Sequence, residues 1–238
     1  MKLSLNRNQI KYLAIIAMLI DHLAWKMFDT ASLPGEIMHF IGRLTGPTMA
    51  IMVAEGYQYT RNVKKYAIRL GLFALVSIVP FCLYEYGMLF AIGMGTWGVI
   101  YTLFLGLMAI CIWDRTKLPK WLKIVIIVVF CILSLLGDWP IFDVLWPLFL
   151  FIYRDNAKKK WLSFNIIICV EVALTTLMSM GGGNIFRNFF QLGAFMVPII
   201  FIYFYNGESG SKHPFHKWFF YIFYPLHLLI LAYIFTLR

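Results

Sequence analysis

Charge is scarce in this chain. Only 13% of its 238 residues are Asp, Glu, Lys or Arg, and the acidic residues number 11 against 21 basic ones. A soluble domain carries about a quarter charged residues and is about half apolar. Here 61% of residues are hydrophobic and the mean hydropathy is +0.77, so the composition is that of an integral membrane protein. Cysteine is also sparse. Cys82, Cys111, Cys131 and Cys169 each sit inside an apolar segment without CxxC spacing, which argues against a disulfide framework or a zinc site and for packing residues. GxSxG, HExxH and P-loop spacings are absent, so hydrolase, zinc-protease and nucleotide-hydrolysing classes lack their usual signatures. There is no fixed-period repeat, no low-complexity tract and no small-residue cleavage site after the first segment, so a removable signal peptide is not expected.

What is present is a succession of apolar runs long enough to cross a hydrocarbon core of about 30 Å. These runs are too continuous for alternating barrel strands, which leaves helices. The expected spans are Gln9 to Phe28, Gly35 to Tyr59, Tyr66 to Tyr86, Thr96 to Trp113, Trp121 to Leu136, Ile141 to Tyr153, Trp161 to Met180, Asn188 to Tyr205 and Trp218 to Leu237. The fold class read from sequence is therefore all-α, a polytopic protein of about nine transmembrane helices, with residues 1–238 as one domain.

The net charge of +10 is explained by topology before nucleic acid is invoked, because cytoplasmic loops are enriched in Lys and Arg. With these spans every basic residue except Lys26, Arg43, Arg187 and Arg238 falls at the N-terminus or in alternate connections. That places the N-terminus in the cytoplasm and the C-terminus outside. Asp29, Glu36, Glu85, Asp138 and Asp143 lie near the outer ends.

Inside the apolar runs, ionisable residues stand out because a bilayer makes them costly. Asp21 and His22 are adjacent on the first span, so they point about 100° apart and do not form a ready-made dyad; Asp21 is matched to Arg43 or Lys26 instead. The second span carries two rows at spacing four: a small-residue ridge of Gly42, Gly46, Ala50 and Ala54, and a polar row of His39, Arg43, Pro47 and Glu55. At about 1.5 Å per residue, His22, His39 and Arg43 fall in the outer half of the membrane and His227 near the midplane, so these side chains are expected around one outward-opening cavity. Glu171 is read as a neutral, hydrogen-bonded glutamic acid.

The stretches Lys11 to His22, Ile41-Gly42-Arg43-Leu44, Ala54-Glu55-Gly56-Tyr57-Gln58-Tyr59-Thr60-Arg61-Asn62, Tyr101 to Gly106 and Phe219 to His227 resemble the TraX-like membrane proteins. That family is grouped with the acyltransferase-3 and heparan-glucosaminide acetyltransferase families, and the resemblance runs from the first span to the last. It implies an acyl-CoA-dependent transmembrane acyltransferase, moving acetyl from cytoplasmic acetyl-CoA to an amine or hydroxyl of a membrane or extracytoplasmic acceptor such as a peptide N-terminus, glycan or lipid.

On that reading His22 is the general base, and Arg43 with His39 or His227 stabilises the oxyanion or holds the acceptor together with Asp21 and Glu55. Arg61, Lys64, Lys65 and Arg69 hold the CoA phosphates, with Lys11 in the place of an arginine that stands eleven positions before the first-span histidine in the acyltransferase-3 relatives. No metal is expected. The partners expected are acyl-CoA, the acceptor and the lipid bilayer, not nucleic acid, and a homo-oligomer is compatible. Two other classes compete: a transporter or flippase with a midplane polar cavity, and a non-catalytic membrane assembly partner that needs only the packing surfaces.

Overall fold

A computed structural model describes residues 4–93, 95–179 and 185–237. Lys2, Met180 and Arg238, which enter the sequence reading, lie outside these residues, as does the Arg187 side chain. The described residues are helical, with no strand beyond two isolated bridges. Contacts divide the chain into two compact units, Met1–Met49 with Phe164–Phe220 and Ala50–Ser163 with Tyr221–Arg238.

Among the described residues, four helical stretches are long and apolar enough to cross a membrane: Leu33–Tyr59, Val63–Tyr86, Ala157–Met178 and Pro214–Phe235. The protein is thus a membrane protein.

The first unit starts with α1, Arg7–Met27. Asn6 caps it: its side chain accepts from the Gln9 N–H while the Gln9 side chain accepts from the Asn6 N–H, so two otherwise orphaned donors are satisfied reciprocally. After the Asp29 to Ser32 turn comes α2, Leu33–Gly42, capped by Ser32, with Pro34 in its first turn. The expected unbroken span from Gly35 to Tyr59 is interrupted here. Arg43 and Leu44 form a turn, and a new helix, α3, Thr45–Tyr59, begins beyond it. Pro47 explains the restart, since proline is tolerated in a first helical turn and not in a helix interior.

The unit is completed by the later part of α8, Ala157–Ser179, a 3-10 helix Ile185–Phe195, α9, Met196–Tyr203, and the start of α10, Pro214–Phe235. The expected span from Asn188 is therefore 3-10 over its first half. The entry to α1 is tied to the chain after α9: the Leu5 N–H donates to the Phe204 carbonyl at 2.7 Å and the Arg7 N–H to the Glu208 carbonyl at 2.8 Å.

The second unit holds α4, Val63–Tyr86, α5, Val99–Arg115, α6, Lys120–Leu133, and α7, Phe142–Ile152, with the parts of α3, α8 and α10 that fall within it. A 3-10 turn, Ser134–Leu136, follows α6. Its core is Leu105, Ala109, Ile127, Val144 and Leu148. α5 and α7 approach closely because Gly106 has no side chain; a Cβ there would run into the Asp143 carbonyl. Asp143 is itself fully buried and accepts from the Thr102 hydroxyl at 3.0 Å. Ahead of α7, Trp139 and Ile141 have φ of 54° and 68°, backbone conformations that cost a bulky L-residue energy.

Candidate functional site

The polar residues of the first unit converge where α1, α2 and the 3-10 helix meet. Asp21 on α1 is the hub. Its Oδ1 lies 2.8 Å from the His39 Nδ1 and its Oδ2 3.5 Å from the Arg43 Nη2; a carboxylate only accepts, so Nδ1 is the protonated ring nitrogen of His39. Gln191 Oε1 lies 3.4 Å from the Arg43 Nη1, and the Arg43 guanidinium lies over the Phe190 ring at 5.1 Å. Trp25 and Phe190 pack on His39 with ring centroids at 4.4 and 5.3 Å. Glu36 accepts the Phe190 N–H at 2.9 Å, which anchors the 3-10 helix to α2.

Two glycines permit this convergence. A Cβ at Gly42 would collide with the Asp21 side chain, and one at Gly193 with the Phe40 carbonyl. Gly42 is thus a point of close approach between α1 and α2, although the expected ridge does not continue as one row, because the helix breaks between Gly42 and Thr45. His39 is fully buried and its Nε2 has no hydrogen-bond partner among the described residues.

The remaining residues singled out from the sequence are dispersed. His22, one step from Asp21, is buried and its Nδ1 lies 2.9 Å from the Met18 carbonyl of its own helix. His227, in the second unit, does the same with the Phe223 carbonyl at 2.9 Å and stacks on the Phe223 ring at 4.9 Å. Glu55, in the second unit, is half-buried and acts electrostatically on Lys160. Lys11 lies over the Phe220 ring at 5.1 Å. Arg61, Lys64 and Lys65 are exposed at the start of α4, whereas Arg69 lies over the rings of Tyr66 and Tyr221 at 5.6 and 5.2 Å. Among the described residues no cluster of three His, Cys, Asp or Glu could hold a metal ion.

Sequence reasoning missed Gln191, Glu36 as an anchor, and Trp25. Gln191 left one signal: it is an amide in the otherwise apolar run from Phe189 to Val197.

The TraX protein family profile matches residues 6–235. The chain belongs to the TraX family. As a TraX chain it is also 30% identical, over 238 residues, to a probable fimbrial assembly protein FimC, serogroup H1, of Dichelobacter nodosus, a match that covers 94% of this chain and 93% of that protein. No solved structure gives a significant match.

These findings correct the expected acyl-CoA-dependent acyltransferase function. The relative that this TraX chain follows end to end is named a probable fimbrial assembly protein, and neither that name nor the family's points to acyl transfer. Both Asp21 oxygens are engaged by His39 and Arg43, so Asp21 joins α1 to the end of α2.

Proposed function

We propose that this chain is a multi-pass, non-catalytic membrane component in the assembly of a surface fibre. The observation that carries the reading is the end-to-end likeness to a fimbrial assembly protein. The first unit is consistent with it: Asp21, His39 and Arg43 engage one another where α1 and α2 meet, fixing the mutual position of those helices.

On this proposal the chain makes nine crossings with a cytoplasmic N-terminus, an orientation that the charges at helix starts support. Asp143 and Glu36 stand in the first turns of α7 and α2, where the helix dipole favours anions. The starts of α4, α6 and α8 carry no acid and instead hold Lys64 and Lys65, Lys120 and Lys123, and Lys158 to Lys160. The dipole disfavours cations there, so their retention is explained by the preference of basic residues for the cytoplasmic face. On this reading the five crossings beyond the four long apolar stretches are the shorter or more polar helices.

The test is to delete the coding gene in the host and count surface fibres by electron microscopy, then to capture neighbours of the tagged full chain by cross-linking in intact membranes. Fewer fibres on deletion, restored by the full chain, and cross-links to fibre or assembly components are expected. Unchanged fibre number in the deletion strain overturns the proposal.

A further inference from the structure

The connection between α4 and α5 is unusual for a loop. From Tyr86 to Trp113 the chain has no charged residue. Within that stretch Met88, Leu89, Phe90 and Ile92 are exposed, Leu89 at 70% and Ile92 at 75%. The loop is nevertheless well tied down. The Gly95 and Trp97 N–H groups donate to the Leu135 and Leu136 carbonyls at 2.9 and 2.7 Å, and the Asp138 N–H donates to the Trp97 carbonyl at 2.7 Å. The Trp97 indole donates to the Ala91 carbonyl at 3.3 Å, and the Thr96 hydroxyl to the Gly93 carbonyl at 2.9 Å. An ordered loop with its polar backbone pinned on one side, and large apolar side chains presented outward, is a surface built to contact something apolar.

The occupant is indicated by what the loop continues. α4 exposes a stripe of Ile68, Leu72, Leu75 and Val79, spaced as one helix face, on a helix that is one of the four able to cross a membrane. The exposed apolar loop follows that stripe at the end of α4 opposite the basic start. Tyr86, Trp97 and Tyr101 gather at the same place, with Trp97 and Tyr101 in edge contact at 4.7 Å. Aromatic residues of this kind concentrate at the boundary between headgroups and acyl chains. Glu85 precedes the loop in sequence and Asp138 is tied to it through the Trp97 carbonyl, and irregular backbone is not accepted in the hydrocarbon core unless shielded, so the depth is interfacial.

We propose that Met88, Leu89, Phe90 and Ile92 form an interfacial anchor that inserts into the lipid leaflet at the end of α4. It fixes the depth of the second unit in the bilayer. The anchor depends on the membrane reading alone and stands whether or not the chain assembles fibres.

The test places a nitroxide at Leu89→Cys or Ile92→Cys, in full-length chain whose own cysteines are replaced, reconstituted into phosphatidylethanolamine and phosphatidylglycerol vesicles. Relaxation by apolar oxygen is compared with relaxation by a water-soluble nickel chelate, with Glu208→Cys, in the exposed loop after α9, as the aqueous control. Insertion predicts several-fold greater oxygen than nickel access at both loop sites and the reverse at Glu208. Nickel access equal to that at Glu208 overturns the proposal, and so does low access to both reagents, which marks a protein partner or a second copy over the loop. Should the cysteine-replaced chain fail to fold, a photoreactive side chain at Leu89 in the otherwise native chain gives the same decision: lipid adducts support the anchor and protein adducts overturn it.

Discussion

Replacing Asp21 by Asn removes the charge that Arg43 and His39 share while keeping the shape. The 3.5 Å separation of Asp21 and Arg43 corresponds to about 5 kcal/mol of Coulomb attraction at an effective dielectric of about 20, before desolvation is subtracted. Breaking a buried pair by removing one partner typically costs about 3–5 kcal/mol, because the surviving charge is left without its counter-ion. For a chain of this size each kcal/mol moves the midpoint by about 2–4 °C, so Asp21→Asn is expected to lower the unfolding temperature by on the order of 10 °C. The assay is thermal unfolding in one detergent or nanodisc for wild type, Asp21→Asn, Arg43→Met and the double variant. If the residues act as a pair, the double variant loses less than the sum of the single losses, by about 0.5–3 kcal/mol, since no stranded charge remains. Strict additivity, or a single variant as stable as wild type, refutes the reasoning.

Gly42→Ala should cost about 1–3 kcal/mol through overpacking, because the added Cβ displaces Asp21; the same unfolding assay reads it, and Asp21→Ala should cost less in that background than on its own. In the second unit the Tyr57 hydroxyl donates to Asp114 at 2.5 Å and accepts from the Arg115 Nε at 2.9 Å. Tyr57→Phe should therefore cost about 1–2 kcal/mol, the value of a hydrogen bond to charged but exposed partners, with unfolding more salt-dependent in wild type than in the variant. The proposed orientation predicts that a cysteine at Lys64 reacts with an impermeant maleimide only when the cytoplasmic face is opened, whereas one at Asp29, exposed in the turn between α1 and α2, reacts without opening.

Much of the helical skeleton was legible in the sequence. α1, expected over Gln9 to Phe28, forms over Arg7–Met27 because the apolar run and the Asn6 to Gln9 capping box specify the same element. α7, expected over Ile141 to Tyr153, forms over Phe142–Ile152 between Pro140 and a polar turn. The interruption at Arg43 and Leu44 was harder to see: apolar residues lie on both sides of Arg43, and Gly46, which falls at the helix restart with Pro47, also suits a packing ridge. The 3-10 form of Ile185–Phe195 has no local signature that separates it from an α-helix.

At the site, the partnership of Asp21 and Arg43 was readable because few counter-charges exist in so apolar a chain. Gln191 was not, since it lies 148 positions from Arg43 and only the path of the chain brings it there. Function was the least legible layer. Histidines in apolar helices draw attention in a sequence, and in the structure His22 and His227 each place Nδ1 against a carbonyl four residues earlier on the same helix, a local contact that does not itself name a function.

The central claim is that the chain supports fibre assembly as a scaffold rather than as a catalyst. The most direct measurement is the number of surface fibres on deletion cells complemented with wild type or with a His22→Gln, His227→Gln chain shown to reach the membrane and unfold at a near-normal temperature. The account predicts that both restore fibres to a similar number. Restoration by wild type alone, with the folded double variant inert, would contradict it.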